Sequence, residues 1–199
     1  MSINAATDEQ DREDMARLVA GKDGALDSLM ERHAERLYNY LLRILQNETE
    51  AGDLAEESFV RIYEHRVRFN PRHKFSTWLY TIATNLTRDL RRSRARHPHV
   101  SLDNPIGETA HDFTEVLPDS GLTPRQTLEA RERAHAVRQA VAALPEDLRL
   151  PLVLSEYEQK SQAEIAEVLD CSPKAVEMRI YRARNQLRER LQALWVEMT

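Results

Sequence analysis

Apolar positions recur at helical spacing in block after block of this chain, and the clearest block is residues 161–187, SQAEIAEVLDCSPKAVEMRIYRARNQL. Ser161 stands three residues before Glu164, the spacing of a capping box, and Ile165, Ala166 and Leu169 follow on one helical side. Asp170-Cys171 interrupts the pattern. Ser172 and Pro173 then open a second helix, a hydroxyl cap followed by proline in the first turn. At about 100° per residue, Val176, Ile180, Ala183 and Leu187 share one side of that helix. Lys174, Glu177, Met178, Tyr181, Arg182 and Asn185 share the other, flanked by Arg179 and Arg184. Two capped helices around a short break, the second basic on its outer side, predict a helix-turn-helix over 162–181. The second helix of that motif lies in the DNA major groove while flanking cations hold phosphates.

The same periodicity organises the rest. A short helix is expected over 8–20 after Thr7, with Met15, Leu18 and Val19 on its apolar side and Gly21 ending it. Asp23 is placed to cap a helix over 24–45. Its apolar stripe runs Leu26, Leu29, Met30, His33, Leu37, Leu41, Ile44 and Leu45, which makes His33 a core or edge residue. Thr49 reads as the cap of a third helix, 50–67. There Ala51, Leu54, Ala55, Ser58, Phe59 and Ile62 face inward, and Asp53, Glu56, Glu57 and Arg61 outward. A basic loop, RFNPRHKF (68–75), precedes a fourth helix over 76–94 that opens at Ser76. Leu79, Ala83, Leu86 and Leu90 form its core stripe, and Trp78, Ile82, Asn85 and Asp89 a second one. A packed helical domain does not need an amide and a carboxylate beside a tryptophan. With Arg88, Arg91, Arg92, Arg94 and Arg96, the stripe offers stacking, edge hydrogen bonds and phosphate pairing, the means of single-strand binding. Residues 97–123 show no sustained period and contain Pro98, Pro105, Gly107 and Pro118, a flexible linker. Thr123-Pro124 opens a helix to about 143 with Ala130, Ala134, Val137, Val141 and Leu144 inward. Pro145 opens another, in which Pro151 bends the helix or marks its first turn.

The expected fold is therefore all-α: two small helical domains, 1–96 and 124–199, joined by a flexible acidic linker, the second containing the helix-turn-helix. Five glycines, 6% aromatic and 31% charged residues among 199 agree with a mostly helical chain. The net charge of -5 excludes a uniformly basic nucleic-acid coat, but the charge is segregated. Residues 88–96 carry five Arg against one Asp, and 174–190 carry six Lys or Arg against two Glu. Residues 48–57 and 97–124 each carry five acids and no Lys or Arg. Two basic stretches imply two nucleic-acid contacts. The acidic ones avoid DNA and suit a basic protein partner, although acids at 48–57 also suit a helix N-terminus.

Other chemistry is poorly supported. No glycine-rich phosphate loop and no zinc-type Cys/His spacing occurs. Glu132-x-x-His135 has the spacing of a carboxylate-bridged metal motif, but such sites need a second copy. His97 and His99 are a lone pair in the linker. Neither a cofactor nor a metal is expected. The single Cys171 fits a reducing compartment and a buried apolar role at the helix break. The polar, acidic N-terminus does not read as a signal peptide, and no apolar run approaches the roughly 20 residues of a membrane span. A cytoplasmic location without membrane insertion is expected.

The segments AGDLAEESFVRIYEHRVRF (51–69), FSTWLYTIATNLTRDLRR (75–92) and LPEDLRLPLVLSEYEQKSQAEIAEVLDCSPKAVEMRIYRARNQLRERL (144–191) resemble, in this order, the extracytoplasmic-function sigma factors of bacterial RNA polymerase. The resemblance implies a non-enzymatic promoter-specificity subunit. Its partners would be core polymerase, through the β′ clamp helices and the β flap, promoter DNA, and an anti-sigma factor. It implies core binding through Asp53, Leu54, Glu56, Glu57, Phe59, Arg61 and Ile62. Phe69, Asn85 and Asp89 would line a pocket for a flipped −10 base, supported by Trp78, while Arg88, Arg91 and Arg92 hold the backbone. Lys174, Glu177, Met178, Arg179, Tyr181 and Arg182 would meet the −35 element. Asp170 stands where the family commonly has glycine, and Asp tolerates a left-handed backbone better than most residues. Two other readings fit parts of the chain. A helix-turn-helix regulator acting without polymerase leaves the Trp78, Asn85, Asp89 stripe unused, and a purely protein-binding helical adaptor leaves both basic clusters unused.

Overall fold

A computed structural model describes residues 3–96 and 123–197. The expected linker, apart from Thr123, and the pair His97 and His99 lie outside the described residues. The first module comprises α1 (Ile3–Val19), α2 (Gly24–Leu45), α3 (Glu48–His65), a 3₁₀ turn (Arg66–Arg68) and α4 (Phe75–Arg96). The second comprises α5 (Pro124–Ala142), α6 (Glu146–Glu156), α7 (Gln162–Leu169) and α8 (Pro173–Glu197).

In the first module α2 is the central post, packed by α1, α3 and α4. Leu29, Leu37, Leu41 and Ile44 on its inner side are fully buried, each worth about 1.5–3 kcal/mol of transfer free energy. Tyr40 is also fully buried, and its hydroxyl is satisfied by Thr84 Oγ1 at 2.8 Å. A buried ion cluster fixes α1 to α2. Arg32 donates to Asp11 Oδ1 (2.9 Å) and Asp14 Oδ2 (2.6 Å), and His33 Nε2 meets Asp11 Oδ2 at 2.8 Å. Arg12 Nε donates to the Pro71 carbonyl at 3.2 Å, so α1 also braces the basic loop before α4.

Several helix ends differ from the sequence reading. The first helix begins at Ile3, and Val19 is exposed at its end because α1 turns only Met15 and Leu18 into the core. Asp23 sits at the N-cap of α2 with no side-chain capping bond; its carboxylate accepts from the Tyr63 hydroxyl instead, at 3.1 Å. Asn47, not Thr49, caps α3, accepting from the Glu50 amide at 3.0 Å. The helix α3 stops at His65 and α4 starts at Phe75, one residue before Ser76. Ala134 is exposed, since α5 has fewer neighbours than its apolar pattern suggested. Pro151 lies inside α6, beyond its first turn.

The second module keeps its caps. Thr123 forms a full capping box with Gln126, and Ser161 one with Glu164. Asp170 adopts φ 53°, ψ 57°, the left-handed conformation that ends α7. Ser172 Oγ accepts from the Ala175 amide at 3.2 Å to start α8. Val176, Ile180 and Ala183 are buried, so the outer side of α8 is fixed as its periodicity requires.

Candidate nucleic-acid interface

The α4 stripe leads from an aromatic platform to open solvent. Phe69, just after the 3₁₀ turn, lies 5.3 Å from the Trp78 ring and 6.5 Å from that of Phe75, while His33 packs on Phe75 at 5.1 Å. Phe69 and Trp78 are half-buried, pinned against the core but accessible along an edge. Two and three turns beyond Trp78, Asn85 and Asp89 are exposed. Arg92 reaches back to Asp89 at 3.3 Å and is exposed, and Arg88 is half-buried. Arg91 is engaged differently: it pairs with Glu146 at the start of α6 and donates to the Ile44 carbonyl at 3.2 Å. Stacking surface, amide, carboxylate and cations thus lie along one helix, the chemistry that holds an unstacked base and its backbone.

The second basic face is on α8. Lys174, Glu177, Met178, Tyr181 and Arg182 are all exposed. Lys174 donates to Glu177 at 2.9 Å, a surface pair that DNA can displace at little cost. Arg179 is half-buried, with its guanidinium 3.7 Å from Cys171 Sγ, and so helps hold the turn. Arg184 grips Glu156 at 2.5 Å and fixes α8 on α6. In the Ser161 box, both the amide and the hydroxyl of Ser161 donate to Glu164 Oε2, at 2.8 and 2.7 Å. Burial raises the Glu164 pKa, but the Ser161 bonds and Lys74 outweigh it and leave the carboxyl below its usual 4.5.

On α3 the exposed side presents Asp53, Glu56, Val60 and Arg61, with Glu57 half-buried and bonded to Arg61 at 2.6 Å. Leu54 is half-buried. Phe59 and Ile62 lie in the core, where they orient this face from behind. Among the described residues no group of three or more His, Cys, Asp or Glu is placed to hold a metal. His135 of the Glu132-x-x-His135 pair meets Gln139 instead, at 2.8 Å. No helix of the described residues is long and apolar enough to cross a membrane.

The two modules also touch, which the sequence reading did not foresee. The helix α7 packs on α4, and α6 on α2. At their junction the Tyr80 hydroxyl donates to Glu158, and Lys160 Nζ donates to Ser76 Oγ at 2.5 Å. Burial pulls the Lys160 ammonium below its usual value and pushes the Tyr80 hydroxyl above it. The sequence carried one signal of this seam: LRLPLVL (148–154) is apolar nearly all round, more than one packed face requires.

Both modules match known families. Residues 29–97 match the model of Sigma-70 region 2, and residues 134–187 that of Sigma-70, region 4. The chain is 34% identical over 176 residues to the ECF RNA polymerase sigma factor SigW of Bacillus subtilis, covering 87% of this chain and 92% of that protein. It is 33% identical over 192 residues to the RNA polymerase sigma-H factor of Pseudomonas aeruginosa, covering 94% and 97%. Among solved structures, CnrH in complex with the cytosolic domain of CnrY aligns with a TM-score of 0.65 at 28% identity, over 92% of this chain and 98% of that one. The sigma factor RpoE of Bartonella quintana, in complex with the anti-sigma factor NepR, shares the fold at a TM-score of 0.66 and 20% identity, over 83% and 96%. With two separately exposed basic helices on modules that match regions 2 and 4 in order, the chain belongs to the ECF sigma factors of bacterial RNA polymerase.

Proposed function

We propose that this chain is a dissociable promoter-specificity subunit whose first module (1–96) engages core polymerase and melted −10 DNA and whose second (124–199) reads the −35 duplex. The observation that carries this is the pair of outward basic faces, on α4 and α8, each on a helix whose opposite side is buried. Asp53, Glu56, Glu57 and Arg61 on α3 form the polymerase-facing side, with Leu54 at its edge and Phe59 and Ile62 holding it in place from the core. Phe69, Asn85 and Asp89 receive an extruded base beside Trp78, and Arg88, Arg91 and Arg92 hold the strand. Capture offsets an unstacking cost of a few kcal/mol. Lys174, Glu177, Met178, Tyr181 and Arg182 reach the −35 groove, with Arg179 steadying the turn. No bond is made or broken by the chain itself, so it acts as a binding subunit and not an enzyme, in the cytoplasm where its polymerase works.

The sigma factor RpoE of Bartonella quintana, which shares this fold, was solved in complex with the anti-sigma factor NepR. By analogy this chain is held inactive by an anti-sigma factor until induced. The testing experiment adds the purified chain to purified core polymerase on promoter-bearing DNA. Specific start sites support the reading. Duplex binding without any effect on polymerase would favour an independent helix-turn-helix regulator instead.

A further inference from the structure

The loop that runs from Phe69 to Phe75 carries one ring of the proposed base pocket, yet little of the loop itself is buried. Asn70, Pro71, Arg72, His73 and Lys74 are all exposed. Within it, the Asn70 side chain accepts from the Arg72 amide at 3.1 Å, and the Asn70 carbonyl from the His73 amide at 3.0 Å. These bonds shape the turn but do not fix where it stands. Among the described residues, its polar side-chain anchors inside the first module come from α1. Arg12 Nε donates to the Pro71 carbonyl at 3.2 Å, and Lys74 Nζ meets Asp8 Oδ2 at 3.0 Å. His73 and Lys74 also meet Glu167 and Glu164 of α7, at 2.5 and 3.2 Å. The hydrogen bond to Asp8 is the largest cause of the raised Lys74 pKa, ahead of the bond to Glu164. A third link is indirect. Asp11 holds His33 Nε2 at 2.8 Å, the His33 ring packs 5.1 Å from Phe75, and Phe75 lies 6.5 Å from Phe69.

These contacts are not a by-product of how α1 is packed. The helix is secured to α2 by its later turns, where Met15 and Leu18 are fully buried and Asp11 and Asp14 pair with Arg32. Asp8 and Arg12 take no part in that core: Asp8 is half-buried and Arg12 exposed. They stand one helical turn apart, so they share a face. On that face a carboxylate and a guanidinium meet the ammonium of Lys74 and the carbonyl of Pro71. Arg12 Nη1 also meets Glu9 Oε2 at 2.6 Å, which steadies the guanidinium. One tether would leave the loop free to swing about it; two, at different residues, set its orientation as well as its position. The helix α1 precedes residues 29–97, the span that matches Sigma-70 region 2, so that match gives it no role.

We propose that α1 is a positioning element for −10 recognition, with Arg12 and Asp8 as its positioning residues. They hold the loop so that Phe69 stays against Trp78, at 5.3 Å, where the base is received. The consequence for promoters rests on the function proposed above; the brace itself does not. Each residue acts through the loop and not by touching DNA. A loop released from α1 keeps its rings and cations but loses their fixed placement. Selectivity for the −10 sequence then falls, because base contacts specify, while backbone affinity, which follows charge, is largely kept.

The test compares the full chain with Arg12→Met, which keeps the apolar stem and loses the donor, and with Arg12→Lys, which regains one. Hydrogen exchange of the Arg72 and His73 amides, followed by nuclear magnetic resonance, should quicken about fivefold in Arg12→Met, the effect of one such hydrogen bond on the loop equilibrium. It should return toward the wild-type rate in Arg12→Lys, while buried amides of α2 stay unchanged in both. Asp8→Asn should loosen the loop in the same direction. Polymerase reconstituted with each full chain is then assayed on a promoter that the wild type selects and on copies with single −10 substitutions. Arg12→Met should lower the preference for the unaltered −10 element by about fivefold, with capture by core polymerase unchanged, and Arg12→Lys should recover it. Unchanged loop exchange in Arg12→Met, exchange raised equally throughout the molecule, or a loosened loop with intact −10 preference would each overturn the proposal. No initiation by any form, wild type included, with loop exchange behaving as expected, would count against the proposed function and leave the brace standing.

Discussion

Asn85 has little structural work to do: it is exposed, on a helix whose opposite side is already a complete core. Asn85→Ala should therefore leave folding and capture by core polymerase unchanged while impairing promoter melting. Permanganate reactivity of unpaired thymines in the −10 region reads this directly, and a normal open complex would contradict the assignment. Arg182, exposed on α8, should act on the duplex. Arg182→Ala is expected to weaken protection of the −35 region, by about 1–3 kcal/mol if it meets a base edge and with a smaller salt slope if it meets a phosphate. Footprinting across a salt series distinguishes these from no effect. Glu164 gives a pH signature. Its folded pKa lies below the ordinary 4.5, so its contribution to stability is complete above that value and is lost as pH falls through the lower folded value. Thermal melts of wild type and Glu164→Gln should differ most above about pH 5 and converge on acidification. Periodicity showed which residues face out, because that depends only on spacing. It could not show that Arg91 and Glu158 find partners on the other module, because ion pairs between distant segments leave no local pattern.

At the scale of elements, the helix ends carry the clearest physics. The second module's caps were legible because each uses a hydroxyl with a glutamate or glutamine three residues later, or a proline at the first turn. The first module's ends were less so. Asn47 and Thr49 are both competent caps two residues apart, and tertiary contacts decide between them. Asp23 could cap α2, but Tyr63 from α3 claims its carboxylate. Asp170 is the informative exception, an L-residue at φ 53° where a glycine is free of strain. Asp170→Gly should stabilise the chain by about 0.5–1 kcal/mol and leave −35 recognition intact. Chemical denaturation measures the gain, and a loss of stability would mean the Asp170 side chain does more than tolerate its backbone. Neither Asp11 nor Asp14 announced itself as buried. Both sit in a sequence that reads as a solvated acidic helix, and only Arg32 and His33, a helix away, explain their enclosure.

For the whole molecule, composition and charge segregation indicated two helical modules with two basic faces, and each module's core formed along its own periodic stripe. How the modules sit on each other was not legible. The seam joins residues as far apart as Ser76 and Lys160, and its polar members read individually as solvated surface. The over-complete apolar character of α6 was the one trace of it. The central claim is that this chain confers start-site choice on a polymerase that lacks it. The most direct measurement is in vitro transcription of fragmented genomic DNA by purified core polymerase, with and without the chain, with transcript 5′ ends mapped. A small set of start sites sharing −35 and −10 sequences, present only when the chain is added, is the predicted result. Identical transcript ends in both reactions, with the chain unbound to core polymerase, would contradict it.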